Sequence, residues 1–549
     1  MKTMYDAIII GAGAGGGITA AVLAEGGMNV LVLERGRSKS FAEVGRDHLR
    51  NHRLSLYGQN QGPDDNAGNP RVFVDGEGHE HTVKPFEGGY HNNAMGVGGG
   101  TKVYGGQAWR FLPTDFRMAT TYGVPDGSSL ADWPLSYDDL APYYERAEWE
   151  IGVSADSDLM AKHWPRRKGY PMPAVPLNTQ GQIFRAGAGK LGWDVFPVPL
   201  LLNTVPYQGR AACIACQQCV GFACPTDAKN GTHNTLLPRA INTGRCTLET
   251  EAMVMTIDCD GGGKVVGVTY INAEGQRISV KAGRVVCAAG AIETARLLLH
   301  SQTSQSPNGL GNQGDQVGRS LQGHYYPGIM GLMAEPVWDG IGPGVNTATV
   351  KWSHGNDDGD GRVIGGGMLA DEFLLLPITF WKRHLPVDVP RWGQANKDFM
   401  RQAFRRFVEI KGPIQDIPNP GSRVTLDPQV KDKWGMPVAR LSGVAHAETV
   451  RTARFMWERA REWMQAAGAV KIWGEPPGTY LSAGQHQAGT ARMGNDPNTS
   501  VVDSNCRVHG HENLFVADAS VHVTNGGFNP VLTAMALAFR TAEGILTQM

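Results

Sequence analysis

The feature that most constrains this chain is a glycine-rich turn between two apolar segments at the N-terminus. Residues 7–10 (AIII) predict a buried strand, and the small residues that begin with Ala14 predict a closely packed helix. A second apolar run over 29–33 predicts the next strand, which leads into Glu34. The turn has the spacing G-x-G-x-x-G, with its glycines at Gly11, Gly13 and Gly16. This order is typical of a βαβ unit that begins a parallel sheet in an α/β fold.

Each part of this unit suits the binding of a dinucleotide. The first glycine permits a tight turn, the second lets backbone approach a pyrophosphate, and the third lets helix and strand pack closely. The helix N-terminus presents free N–H groups and a positive dipole end to the phosphates. Glu34 is placed to accept hydrogen bonds from a ribose diol, which favours an unphosphorylated ribose. The motif alone does not separate FAD from NAD, but its N-terminal position in a chain of 549 residues favours a resident FAD.

Composition excludes several classes of protein. The chain is 41% apolar and 19% charged, as in ordinary globular proteins, and its net charge of −1 without charged blocks predicts no nucleic-acid partner. Residues 7–24 are uncharged over the length of a membrane helix, but their five glycines are costly in a helix. Asp6 also interrupts the basic segment that a signal peptide needs. We therefore expect no signal peptide, no direct membrane insertion and a cytoplasmic location, with export on a partner subunit to the periplasm as the alternative.

A second glycine cluster, at 88–106, introduces a resemblance to a known family. Eight glycines there indicate a loop, and together with the following residues 108–111 (AWRF) they resemble the first signature of the glucose-methanol-choline (GMC) oxidoreductases. Further segments at 284–299, at 317–324 and from 485 to 530 resemble other parts of that family. The resemblance spans nearly the whole chain. Within the family the chain looks most like the catalytic subunits of bacterial FAD-dependent sugar (glucose or glucoside) dehydrogenases, on the segments 108–116, 132–140 and 142–144.

The resemblance implies a fold of two domains. The first is an α/β, Rossmann-like FAD-binding domain, and the second is an α+β substrate domain with a mostly antiparallel sheet. The expected FAD-binding segments are 1–160, 210–320 with a cysteine-rich insertion at 210–236, and 475–549; the substrate domain takes 161–209 and 321–474. Besides the first turn and Glu34, the expected FAD contacts are Gly98, Gly99, Gly100, Thr101, Asp518, Asn529 and Pro530. For Asp518, capping of a helix is the alternative role.

The C-terminal part of the resemblance implies the catalytic pair. The family's catalytic histidine corresponds to His486 and its second active-site residue to Asn529. A neutral histidine suits the removal of a hydroxyl proton near physiological pH. We therefore expect His486 to act as the general base and Asn529 to orient the substrate oxygen. Some relatives attach the flavin to a histidine after the first glycine signature, and because residues 101–104 (TKVY) contain none, we expect non-covalent FAD.

A cluster of four cysteines has the spacing C-x2-C-x2-C-x4-C-P, at Cys213, Cys216, Cys219 and Cys224. Bacterial ferredoxins use the same pattern with one residue fewer in the last gap, so an iron–sulfur centre is the leading interpretation. The resemblance to sugar dehydrogenases implies a [3Fe-4S] centre, but the altered spacing leaves [4Fe-4S] open. A zinc site and a metal-free loop, with or without disulfide bonds, are the two alternatives.

These features predict an FAD-dependent dehydrogenase that oxidises a CH–OH group of a sugar or glycoside at C1, C2 or C3. Its expected partners are a small subunit and a cytochrome or quinone that accepts electrons from the iron–sulfur centre. An oxygen-dependent pyranose or glycoside oxidase with a structural cysteine loop is the alternative. Aromatic residues over 330–430, such as Trp352 and Phe407, suit either sugar stacking or a core.

Overall fold

A computed structural model of the protein describes residues 4–43, 68–85, 87, 89–91, 94–217, 219–372, 377, 380–381 and 384–547. Its strands, numbered in chain order, are β1 (Met4–Ile10), β2 (Val30–Glu34), β3 (Arg71–Val74), β4 (Glu80–Val83), β5 (Phe196–Pro197), β6 (Cys246–Thr250), β7 (Met253–Cys259), β8 (Val265–Ile271), β9 (Arg277–Cys287), β10 (Gly328–Leu332), β11 (Thr347–Thr349), β12 (Leu369–Asp371), β13 (Phe407–Lys411), β14 (Arg423–Lys431), β15 (Pro437–Ser442), β16 (Lys471–Trp473) and β17 (Leu514–Val516).

Most of the α-helices in the described residues are short, and four of them have twelve or more residues. In chain order they are α1 (Ala14–Glu25), α2 (Met118–Tyr122), α3 (Tyr137–Ala147), α4 (Ser157–Ala161), α5 (Thr179–Lys190), α6 (Leu236–Asn242), α7 (Ala291–His300), α8 (Gln394–Ala403), α9 (Ala447–Ala466) and α10 (Val531–Thr547). None of these helices is both long enough and apolar enough to cross a membrane.

The largest sheet contains the predicted βαβ unit. Its parallel part has the order β6, β2, β1, β9, β17, and the first half of the long strand β9 continues into an antiparallel meander with β8 and β7. Every residue of β2 and the last four of β1 are buried, as expected for parallel strands covered on both faces. Helix α1 packs against α10 and α6 on one face. The N-terminal prediction is thus confirmed, including the position of Glu34 as the last residue of β2.

A second sheet supports a separate apolar core. Its order is β16, β10, β13, β12, β11, β5, and every neighbouring pair is antiparallel. Helices α5 and α9 pack against it, with Trp463 and Met456 of α9 fully buried. The predicted fold class, an α/β FAD-type domain with a mostly antiparallel substrate domain, is confirmed. A smaller sheet, β14, β15, β3, β4, joins a segment expected in the substrate domain to one expected in the FAD domain.

The carboxyl ends of the parallel strands meet at one edge of the large sheet. Strands β1, β2, β9 and β17 all end there, and the residues that follow them include Gly11, Ala288 and Asp518. In open α/β sheets, ligands bind outside this edge. The fold therefore brings the first glycine turn and the C-terminal segment to a common place, although more than 500 residues separate them in sequence.

Candidate active site

A cavity of about 430 Å³ opens at this edge of the sheet. Most of the residues that the sequence assigns to the site line its wall: Gly11, Gly13, Ala14, Glu34, Gly99, Gly100, Thr101, His486, Asp518, Asn529 and Pro530. Gly16 and Gly98 lie behind the wall, and the four cysteines line a different, smaller cavity. The structure thus brings together one long site, with the glycine turns at one end and the His486–Asn529 pair at the other.

The motif glycines divide into packing positions and open positions. A Cβ added to Gly11, whose φ is +104°, would lie 2.4 Å from the Ala288 carbonyl oxygen, and one added to Gly16 would lie 1.9 Å from the Gly11 oxygen. Around an added Cβ at Gly13 or Gly100, in contrast, no atom lies within 4 Å. The backbone at these two positions therefore faces open space inside the cavity, which is the room that a diphosphate needs for close approach.

Two further features suit the ADP part of a dinucleotide, namely its phosphates and its ribose. Gly13 precedes α1 without any side-chain cap, and no acidic residue lies in the first turn, so the helix N-terminus is available to an anion. The Glu34 carboxylate accepts hydrogen bonds from the Ala12 N–H (2.9 Å) and the Gly36 N–H (2.8 Å). Each carboxylate oxygen retains further acceptor capacity, and the side chain reaches the cavity wall. These residues fit FAD.

Asp518 has the structural role that the sequence allowed as an alternative. One carboxylate oxygen accepts from the backbone N–H and hydroxyl of Ser520, which caps the short 3₁₀ helix Ala519–Val521. The other accepts from the Gly290 N–H (2.9 Å) and the Thr294 hydroxyl (2.6 Å) at the start of α7. Asp518 thus ties two helix starts together at the cavity wall. A contact with FAD stays a prediction.

His486 lies at the opposite end of the cavity. Its backbone has a φ of +59°, which is uncommon for a residue with a side chain, and its carbonyl accepts a 2.7 Å hydrogen bond from the Asn525 amide. The ring Nδ1 lies 2.9 Å from Nδ1 of His324 and 3.1 Å from the Tyr326 hydroxyl. Burial holds the pKa of His486 well below its usual value. The imidazole is therefore neutral at physiological pH and able to accept a proton.

Asn529 adjoins the other ring nitrogen of His486. Its Nδ2 atom lies 3.5 Å from Nε2 of His486, at the limit of a hydrogen bond. Its buried Oδ1 atom has no hydrogen-bond partner among the described residues. Helix α10 follows directly, since the Ala534 N–H donates to the Pro530 carbonyl. An unsatisfied buried acceptor beside a base indicates a position for a ligand that donates a hydrogen bond.

A polar group lines the cavity on the side of the antiparallel sheet. Lys411, at the end of β13, lies with its Nζ atom 3.0 Å from a Glu409 carboxylate oxygen and 3.9 Å from one of Glu372. Glu372 and Lys411 reach the cavity wall, as does Tyr326. This side of the site therefore offers both hydrogen-bond donors and acceptors. In contrast, Trp352 and Phe407 lie in cores, against Phe455 and Phe380, and do not line the cavity.

The four cysteines surround one small cavity that also contacts Lys229. All four are free thiols, and burial raises the pKa of Cys219 to about 12. In the part of the chain that the structure describes, no three Cys, His, Asp or Glu side chains converge closely enough to hold a single metal ion. The structure therefore supports neither the zinc alternative nor the iron–sulfur centre, and the cluster stays a prediction. Nor does it pair these cysteines as disulfides.

Lys229 connects the cysteine loop to the main cavity. Its fully buried ammonium donates to the carbonyl oxygens of Tyr104 (2.9 Å), Phe222 (2.8 Å) and Cys219. Tyr104 and Val220, the residue after Cys219, both line the main cavity. The cysteine loop thus lies directly behind the wall of the candidate FAD site.

Sequence reasoning missed several of these residues. His324 is the last residue of the segment 317–324, which resembles the family in sequence but carries no motif that indicates a chemical role for this histidine. His324 is only 4% exposed, and such burial indicates a specific role for a histidine. Burial cannot be read from a single sequence. Glu372, Lys411 and Lys229 carry no local motif, so only tertiary structure could identify them.

The fold and the site together define a dinucleotide-dependent oxidoreductase with a histidine–asparagine pair. The sequence profiles of the GMC oxidoreductase family match residues 92–326 with the N-terminal part and 418–538 with the C-terminal part. These matches cover more than half of the chain. The protein therefore belongs to the GMC oxidoreductases, FAD enzymes that act on CH–OH donors, as its sequence predicts.

Individual relatives are distant but match over the full length. The chain is 29% identical to the fructose dehydrogenase large subunit of Gluconobacter japonicus, covering 99% of this chain and 98% of that protein. It is 32% identical to 2-methyl-1,2-propanediol dehydrogenase of Mycolicibacterium austroafricanum (98% and 95% covered) and 30% identical to 6'''-hydroxyparomomycin C oxidase of Streptomyces lividus (100% and 92%). Among solved structures, pyridoxine 4-oxidase from Mesorbium loti superposes with a TM-score of 0.65 at 18% identity, covering 98% of each chain.

Proposed function

We propose that this protein is an FAD-dependent dehydrogenase that oxidises a CH–OH group of a sugar or glycoside at C1, C2 or C3. The observation that carries the proposal is the His486–Asn529 pair at one end of the cavity whose other end holds the glycine turns and Glu34. The residues that would hold FAD without a covalent bond line the cavity, with Gly16 and Gly98 behind them: Gly11, Gly13, Ala14, Glu34, Gly99, Gly100, Thr101, Asp518, Asn529 and Pro530. FAD bound by these residues would supply the two-electron acceptor for the hydride of the substrate.

The chain's own side chains supply the proton chemistry. Neutral His486 accepts the hydroxyl proton of the substrate, which allows the carbonyl product to form when the hydrogen on the same carbon leaves as hydride. Asn529 orients the substrate oxygen against His486. Glu372 and Lys411 accept and donate hydrogen bonds to the remaining hydroxyls, which favours a polyhydroxylated substrate over an apolar alcohol. Two of the full-length relatives, the fructose and hydroxyparomomycin enzymes, are named for carbohydrate substrates.

We further propose that Cys213, Cys216, Cys219 and Cys224 hold an iron–sulfur cluster, either [3Fe-4S] or [4Fe-4S]. A cluster separates its thiolates more widely than a single ion does, and the four thiols share one cavity. The positive φ angles of Ala215 and Gln217 curl the loop, and the buried Lys229 ammonium would offset the negative charge of cluster and thiolates. Such a cluster supplies one-electron transfer, which suits a cytochrome or quinone acceptor.

The name of the fructose dehydrogenase relative, a large subunit, supports an assembly with a small subunit here as well. In that case the small subunit would carry any export signal for a periplasmic location, and without it the protein would be cytoplasmic.

The second candidate is an oxygen-dependent pyranose or glycoside oxidase. It is favoured by the 30% identical relative from Streptomyces lividus, which is named as an oxidase. In that case the two electrons and two protons removed from the CH–OH group would pass to oxygen and form hydrogen peroxide, and the cysteine loop would be structural.

One set of measurements separates the two candidates. Anaerobic titration with a panel of sugars and glycosides identifies the substrate by loss of flavin absorbance, and NMR of the product identifies the oxidised carbon. Iron analysis and peroxide detection are then made on the same preparation. The dehydrogenase hypothesis predicts three or four irons per chain and negligible peroxide in air. Stoichiometric peroxide without iron would establish the oxidase, and no bleaching by any sugar would refute both.

A further inference from the structure

His324 is a buried histidine with both ring nitrogens in defined contacts. Its Nε2 atom lies 2.8 Å from the Gly526 carbonyl oxygen and 3.1 Å from that of Asn525. Carbonyl oxygens only accept hydrogen bonds, so Nε2 of His324 must carry a hydrogen. A neutral imidazole carries a single N–H, which makes Nδ1 of His324 an acceptor.

The tautomer of His324 determines the tautomer of His486. The two Nδ1 atoms lie 2.9 Å apart, a distance at which they share one hydrogen. Because Nδ1 of His324 is the acceptor, the hydrogen belongs to Nδ1 of His486. The lone pair of neutral His486 is then on Nε2, the nitrogen beside Asn529. This is the nitrogen that a base needs at the substrate end of the cavity.

Two other arrangements are disfavoured. If the Tyr326 hydroxyl, 3.1 Å away, donated to Nδ1 of His486, two lone pairs would face each other across the 2.9 Å histidine contact. If His324 were protonated on both nitrogens, it would donate to His486 and reverse the tautomer. Burial opposes that charge and lowers the pKa of His324 to about 4, although the nearby Asp115 carboxylate acts in the opposite direction.

We propose that His324 is a positioning residue that holds His486 in the Nδ1–H tautomer and so keeps Nε2 available as the base. The inference rests on the proposed function, in which His486 takes the substrate proton. It goes beyond that function because it assigns a role to a second residue, His324. The two histidines are 162 positions apart, and no sequence motif joins them. Loss of the group that orients a metal-ligating histidine typically costs about 10- to 100-fold in affinity or activity, and we expect an effect of similar size for His486.

The first test measures the tautomer directly in the FAD-loaded protein. Nitrogen-15 NMR of histidine-labelled protein distinguishes a protonated from an unprotonated ring nitrogen, and the signals of His486 are those missing in His486→Asn. We expect wild-type His486 to show a protonated Nδ1 and an unprotonated Nε2. A protonated Nε2 in the wild-type protein would overturn the proposal, whether or not any variant folds.

The second test compares variants in anaerobic flavin reduction. His324→Leu removes the acceptor, and we expect the reduction rate constant at saturating substrate to fall about 10- to 100-fold with FAD content unchanged. His324→Asn places an amide oxygen near the former Nδ1 and should recover part of the rate. His511→Leu, which changes another buried histidine outside the cavity, should leave the rate unchanged.

These outcomes separate the inference from the function on which it rests. If His324→Leu keeps the wild-type rate while His486→Ala loses it, the positioning role is wrong and His486 is still the base. If His486→Ala keeps the wild-type rate, the proposed function itself fails. Equal loss in His324→Leu and His324→Asn, with the Nδ1–H signal of His486 retained in both, would show a purely structural role for His324.

Discussion

In the proposed function, the single residue on which the chemistry depends most is His486. Its ring is neutral, held on one side by His324 and open on the other toward Asn529 and the cavity. We expect His486→Ala to bind FAD normally and to lose about 10²- to 10⁴-fold in the rate of substrate-driven flavin reduction, which is the usual contribution of a general base. Anaerobic stopped-flow measures the rate, and the visible spectrum measures FAD content. A rate within twofold of wild type would refute the assignment.

The pH dependence of the same step follows from the environment of His486. Burial holds its pKa well below the usual value, so the neutral form persists as the pH falls through the ordinary histidine range. The reduction rate should therefore be constant from about pH 6 to 8 and decline only at more acid pH, where the base becomes protonated. A transition near the ordinary histidine pKa in the reduction rate at saturating substrate would contradict this expectation.

At the scale of elements, the turn between β1 and α1 contains two kinds of glycine. One kind is required for packing, and the other leaves room for the cofactor. An added methyl group at Gly16 collides with the Gly11 carbonyl, whereas one at Gly13 meets only open space. Gly16→Ala should therefore destabilise the apoprotein, by about 1–3 kcal/mol. Gly13→Ala should leave the apoprotein stable but weaken FAD binding about tenfold or more, or about 1.4 kcal/mol.

Thermal unfolding of the apoproteins and fluorescence titration with FAD measure the two effects independently. Each variant acts as the control for the other, since both add one methyl group to the same turn. Normal FAD binding by Gly13→Ala would show that the diphosphate does not approach this turn.

At the scale of the whole molecule, the cysteine loop lies behind the wall of the main cavity, and Lys229 joins the two. Cys219→Ser should therefore lower the iron content, change the electron paramagnetic resonance signal of the cluster and abolish transfer to a one-electron acceptor. Flavin reduction by substrate should be unchanged, because His486 and Asn529 are untouched. Cys259→Ser, which alters a partly buried cysteine outside the loop, provides the matched control. Unchanged iron and unchanged acceptor reduction in Cys219→Ser would refute the cluster.

Much of the fold was predictable because its signals are local. The βαβ unit is encoded within residues 4–34, where apolar strands, glycines and a terminal acid follow one another, and the structure confirms it. The family resemblance extended this prediction to the antiparallel sheet. The aromatic residues over 330–430 were ambiguous, since an aromatic side chain suits a core and a sugar platform equally, and only the positions of Trp352 and Phe407 decided for the core.

The sequence by itself determined the class of protein and the identity of the residues with recognisable chemistry: the glycine turns, Glu34, His486 and Asn529. Tertiary structure alone decided which further groups meet them. His324 reaches His486, Lys411 reaches the cavity beside Glu372, and Lys229 reaches the carbonyls around the cysteine loop. The physical reason is distance along the chain. A motif records contacts between near neighbours, whereas the hydrogen-bond partner of His486, the proposed base, comes from 162 residues away in the chain.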